Sequence, residues 1–177
     1  MCEGSFLPGA LVLNQRLPGF GSSLRSHPIS PCLSWFWRQG GDFHPQGQAA
    51  SSPKLPRPTP PEYGYEVQID NEPEDSNADE YHATGTLYSL AKPLARPGKP
   101  GPEWNEMEIT LDGPRTIVIL NGVKVTDYTE GQPVPPKRFE FEPERGPRPN
   151  ESYFGLQNHS KDDVVFFKEV AYKPLKK

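Results

Sequence analysis

Residues 115–128 read Arg115-Thr-Ile-Val-Ile-Leu-Asn-Gly-Val-Lys-Val-Thr-Asp-Tyr128. Two runs rich in β-branched residues are parted only by Asn121-Gly122. That pair tolerates the positive φ needed at both central positions of a type I′ turn. The stretch therefore predicts a two-residue hairpin joining residues 117–120 to 123–128. Upstream, Asp112-Gly-Pro-Arg115 reads as a second turn. Before it, Trp104-Asn-Glu-Met-Glu-Ile-Thr-Leu111 alternates, sending Met107, Ile109 and Leu111 to one face. Tyr65-Glu-Val-Gln-Ile-Asp70 alternates as well. It places Tyr65, Val67 and Ile69 inward and Glu66, Gln68 and Asp70 on the opposite face. Downstream, residues 153–157 and 164–172 read as further strands. Short strands joined by Gly/Pro turns, with no helical stripe, predict an all-β antiparallel sandwich or jelly roll.

Composition narrows the function classes. The chain has 177 residues, with 23 Pro, 16 Gly and only 33% hydrophobic residues. A long helical bundle does not fit. No run approaches the roughly 20 apolar residues of a membrane span, and glycine lacks the collagen period. Cys2 and Cys32 form no Cys-x-x-Cys pair and have no His at zinc spacing, so they do not report on redox compartment. The formal charge is −4, and the excess acid lies entirely beyond residue 62. An acidic second part lacks the basic stripe of a nucleic-acid partner.

Residues 1–62 read differently. Ten of the prolines fall here, and no six residues alternate. We expect this part to be disordered or aberrant and to carry the polyproline-type linker 51–61. The apolar island Cys32-Leu-Ser-Trp-Phe-Trp37 is either a docking motif or a stretch never selected to fold, with sheet contacts possible near Trp35 and Trp37. The start of the chain lacks the basic region and long apolar run of a secretory signal. Residues 63–177 are then the folded domain.

In order along the chain, Gly64-Tyr-Glu-Val-Gln-Ile-Asp70, Thr84-Gly-Thr-Leu-Tyr88, Glu103-Trp-Asn105, Leu120-Asn-Gly122 and Gly155-Leu-Gln-Asn-His159 resemble the 3-keto-disaccharide hydrolase domain family. The closing Val165-Phe-Phe-Lys-Glu-Val170 resembles its final strand. The resemblance covers residues 63–177 and implies a concanavalin A-like jelly roll. It also implies a hydrolase or lyase acting on 3-keto-glycosides, a carbohydrate substrate, and a secreted or periplasmic setting. The family has further strands before its Glu-Val-Gln-Ile motif. None is legible in residues 1–62, so the sandwich is expected to lack some N-terminal strands.

The substrate class implies a mechanism. A ketone at C3 acidifies the hydrogen on C2; a base removes it, the bond from C1 to the leaving oxygen breaks, and water adds back. Such a site needs a base, an acid and donors for the enolate. The resemblance points to Glu66 and His159 as catalytic groups. Gln68, Asp70, Tyr88, Trp104, Asn105 and Gln157 are the candidates for holding substrate. Tyr88 and Trp104 suit stacking against a pyranose, though either also suits a core; Asn105 suits sugar hydroxyls or a loop cap. The Glu66/Gln68/Asp70 alternation is equally that of a solvated face. The acidic loop 70–80 has oxygen ligands for Ca²⁺ but lacks EF-hand spacing, so the metal requirement stays open. Asn150 and Asn158 open glycosylation sequons. No phosphate-cradling glycine loop and no Gly-x-Ser-x-Gly elbow is present, and no cofactor is expected. The competing functions are a non-catalytic carbohydrate-binding module and an inactive truncated fragment.

Overall fold

The structure is a computed structural model. It describes residues 9–16, 32–35, 64–70, 80–140, 142–146, 156 and 164–175. Among the described residues seven strands are formed: β1 (Gly9–Arg16), β2 (Cys32–Trp35), β3 (Tyr65–Gln68), β4 (Asn105–Asp112), β5 (Arg115–Leu120), β6 (Val123–Thr129) and β7 (Phe166–Pro174). A five-stranded sheet has the order β6-β5-β4-β1-β7, and β2 pairs with β3 in a second sheet. All pairings are antiparallel. No helix among the described residues is long and apolar enough to cross a membrane.

The hairpins follow the local code. Leu120 pairs with Val123, and Asn121 and Gly122 take φ of 50° and 79°. Met107, Ile109, Val118 and Leu120 are fully buried, as period two requires. The register slips between Val118 and Ile119, so Val125 is an extra residue in β6. This bulge turns both Val125 and Thr126 inward, against strict alternation.

The core lies between the sheets. Leu11, Leu13, Met107, Ile109, Val118, Leu120 and Val125 meet Val67, Ile69, Leu87 and Leu90 from the other layer. Tyr65 stacks edge-on against Tyr128 at 5.6 Å, and its hydroxyl donates to Glu130 Oε1 at 2.6 Å. Thr126 Oγ1 donates to the Gly85 carbonyl at 2.8 Å. Gly85 has φ +88°, and a Cβ there would meet Val125 Cγ2 at 2.5 Å. Only glycine suits both the left-handed backbone and that approach.

Two strands precede residue 63: β2 is the sheet contact expected near Trp35, whereas β1 corrects the reading of its segment as disordered or aberrant. β1 is the central partner of both β4 and β7, and β2 covers one edge of β3. β1 escapes a search for alternation because Ala10-Leu-Val-Leu13 is a continuous apolar run, the pattern of a strand inside a sheet. The linker 51–61, the acidic residues 71–79, Trp37, both sequons and, save the exposed Leu156, the strand expected over 153–157 lie outside the described residues.

Candidate functional site

The second layer places the site residues. β3 is paired on both sides, with β2 along one edge and an isolated bridge between Val67 and Leu87 on the other. The Tyr88 N–H donates to the Glu66 carbonyl at 2.9 Å. The Gln68 N–H donates to Thr86 O at 3.0 Å, and the Gly85 N–H donates to Gln68 O at 2.9 Å. The positive φ of Gly85 folds the chain back so that residues 85–88 run beside β3. Glu66 thus stands level with Ser34 of β2 on one side and Tyr88 on the other.

Glu66, Gln68, Asp70 and Tyr88 are therefore brought into one layer. Glu66 is 9% exposed and Gln68 2%, although they alternate with the equally buried Val67. Burial on both faces of β3 removes the reading of a solvated outer face. A carboxylate and an amide in such a place need hydrogen-bond partners. Asp70 is half-buried, and its backbone is fixed by Thr84: its N–H donates to Thr84 Oγ1 at 2.9 Å, and that hydroxyl donates to Asp70 O at 2.7 Å. Tyr88 is half-buried. The His82 ring meets it edge-on at 4.9 Å. Lys92 lies over the Tyr81 ring at 5.7 Å and pairs with Glu80.

Trp104 and Asn105 belong to the five-stranded sheet. Trp104 is half-buried immediately before β4. Asn105 Oδ1 accepts the Lys99 N–H and Asn121 Nδ2, both at 2.8 Å, and its Nδ2 donates to Lys99 O at 2.9 Å. Asn121 Nδ2 also donates to Pro97 O at 2.8 Å. That bonding fastens a loop, the second of the two uses expected for Asn105. His159 and Gln157 lie outside the described residues. Among the described residues, no three His, Cys, Asp or Glu side chains converge to hold a metal ion.

Sequence reading passed over His82. The one signal for it is its place just before Thr84-Gly85-Thr86, where a glycine that must turn brings the preceding residues back over Tyr88. It also passed over Glu142 and Arg145, whose proline-rich surroundings show no periodicity.

The family model of the 3-keto-alpha-glucoside-1,2-lyase-like domain matches residues 43–173. The chain belongs to this family. The match begins ahead of residue 63 and runs from β3 into β7. Membership puts the domain among glycosidase-like proteins with carbohydrate substrates. Solved structures agree on the fold. A candidate glycosyl hydrolase of Parabacteroides distasonis ATCC 8503, solved at 2.00 Å, matches with TM-score 0.67 and 19% identity over 97% of this chain and 80% of that one. A second candidate glycosyl hydrolase from that organism, solved at 1.70 Å, gives 0.63 and 19% over 98% and 72%. A third, at 2.13 Å, gives 0.59 and 18% over 98% and 66%. At such identity the likeness speaks for the all-β sandwich alone. No curated protein matches the chain significantly.

Proposed function

We propose that this lyase-like domain cleaves 3-keto-glycosides, with Glu66 as the base. The observation that carries the reading is the burial of Glu66, 9% exposed, beside Gln68 on the polar side of β3. Family membership supports this substrate class. In this reaction Glu66 takes the proton from C2, made acidic by the C3 ketone. The C2–H electron pair becomes the C1–C2 double bond, and the C1–O pair departs with the leaving oxygen, which takes a proton from an acid. His159 is our candidate for that acid. If the product leaves at this stage the enzyme is a lyase. If water adds its hydroxyl to C1 and a proton to C2, the outcome is net hydrolysis. Gln68 and Asp70 are proposed to bind hydroxyls, and Tyr88 to take the apolar face of the sugar.

The concanavalin A-like character of the sandwich forms part of this reading. The truncated-fragment alternative called for an open edge at β3; that edge is paired on both sides. The binding-module alternative called for aromatic groups without converging acids, whereas Glu66 and Asp70 share a face with Tyr88.

Incubation with a 3-keto-disaccharide and the matching ordinary disaccharide tests the proposal. Turnover of the keto sugar alone is expected. Glu66→Gln keeps shape and hydrogen bonding but removes basicity, and should lower kcat about 10²–10⁴-fold. Binding without turnover by the wild type, or full rates in Glu66→Gln, would overturn it.

A further inference from the structure

The residue after Tyr88 has an uncommon backbone. Ser89 is buried at 2% exposure with φ 64°, a left-handed conformation that serine seldom adopts. Such strain persists only where the surroundings enforce it. The Leu90 and Ala91 N–H groups close a local turn over it by donating to Leu87 O at 2.9 and 3.0 Å, and a segment 56 residues away braces that turn. Arg145 Nη2 donates to Ser89 Oγ at 2.8 Å and to Ser89 O at 3.4 Å. The same guanidinium donates through Nε to Pro135 O at 3.0 Å and through Nη1 to Pro143 O at 2.6 Å. Its Nη2 also meets Glu142 Oε2 at 2.9 Å.

Glu142 has no exposed surface. A carboxylate there persists only with partners. Burial pushes its pKa up, but the Arg138 N–H, the Ser89 hydroxyl and Arg145 outweigh burial and hold it below the ordinary value. The Arg138 N–H donates to Oε2 at 3.0 Å. Glu142 and Arg145 thus form an ion pair in which the guanidinium is fixed through Nε and Nη1 to Pro135 and Pro143 carbonyls, while Nη2, shared with Glu142, reaches the strained residue. That residue adjoins Tyr88, whose N–H is bound to the carbonyl of Glu66.

We propose that Arg145 is a positioning residue: anchored by Glu142, it holds the left-handed Ser89 turn and so sets Tyr88 against Glu66. This rests on the reading of Glu66 and Tyr88 as site residues. Arginine is required because its planar fork reaches several carbonyls at once, whereas a lysine ammonium is a point donor.

Arg145→Lys tests the proposal with two independent readouts. In turnover of a 3-keto-disaccharide, kcat should fall about 10²-fold, the scale of a small misplacement at the reacting centre, with KM little changed. In hydrogen exchange, the Tyr88 amide should lose protection while the amides of the β4–β5 ladder keep theirs. Adding Ser89→Gly, which adopts positive φ without help, should restore both. Should Arg145→Lys fail to fold, Ser89→Ala removes the hydroxyl link alone and should loosen the same amide to a smaller degree. A folded Arg145→Lys with a lower Tm but unchanged kcat and Tyr88 protection would make Arg145 a general stabiliser and overturn the proposal. Rescue of Tm alone by Ser89→Gly would do the same. A wild type that turns over no keto sugar defeats the function proposed above, and the exchange arm still decides the clamp.

Discussion

Residues 105–129 and, on the other side, residues 64–70 and 80–94 line one core and arrive there by different means. The β4–β5–β6 hairpins bury Met107, Ile109, Val118 and Leu120 by simple alternation, with two-residue turns setting the register. The layer around β3 buries Glu66, Gln68, Thr86 and Ser89 as well as Val67 and Leu87. It is held by main-chain bonds, one left-handed glycine and an arginine from far along the chain. Apolar alternation tolerates exchange of similar side chains. A buried polar layer does not, because each group that loses its partner is left costly and unpaired. The candidate site lies in the second kind of construction, which keeps carboxylate and amide groups out of water and in fixed places.

The comparison breaks most sharply at β1, which must belong to the hairpin sheet if that sheet is one unit. Leu13 is fully buried between Met107 of β4 and Val170 of β7 in register. Leu13→Ala should cost about 2–5 kcal/mol. A Tm close to wild type would remove β1 from the core.

Gly85→Ala tests the seam between the two layers. The added carbon meets Val125 at 2.5 Å and the backbone keeps φ +88°. Overpacking and strain together should cost about 2–4 kcal/mol in chemical denaturation. Gly122→Val is the contrast within the hairpins. Its φ is +79°, but nothing lies within 4 Å of a new Cβ. Only strain acts there, about 1–3 kcal/mol. If the two variants lose equal stability, close approach at the seam is not what selects Gly85.

Acid should act first on the polar layer. The Glu142 carboxyl lies below its ordinary 4.5 in the folded chain, so the unfolded chain binds that proton more readily. Its contribution is full above pH 4.5 and is lost as pH falls below it. Glu142→Gln should lower Tm at neutral pH and flatten the fall of Tm below pH 4.5. An unaltered acid limb would contradict this.

The smallest effect belongs to the outer face of the hairpins. Asp127 pairs with Arg115 Nε at 2.8 Å and Lys124 Nζ at 2.7 Å, in contact with solvent. The hydrogen bonds from Arg115 and Lys124 hold its carboxyl below the usual range. Asp127→Asn should shift Tm less than any change above, and less again in high salt. A large shift would mean that surface ion pairs, not alternation, secure β5 to β6.

Much of this was legible before folding. The turn at Asn121-Gly122, the inward set Met107, Ile109 and Leu111, and the core side of Tyr65-Glu-Val-Gln-Ile-Asp70 follow from contacts a few residues long. Glu66 was legible as a candidate, but its burial was not, because alternation looks the same whether the polar face meets water or protein. β1 was missed since a short apolar run carries no period to separate a central strand from any other greasy stretch.

The amino-acid sequence by itself determined the strands and hairpins of residues 104–129 and the division of β3 into apolar and polar sides. These depend on period two and on the φ that Asn and Gly accept. Only the tertiary structure decided that β1 runs between β4 and β7, that Gly85 meets Val125, that Glu66 is buried, and that Arg145 reaches Ser89 across 56 residues. Each of these needs two distant segments to meet, and no local pattern encodes which distant groups will share a low-dielectric interior.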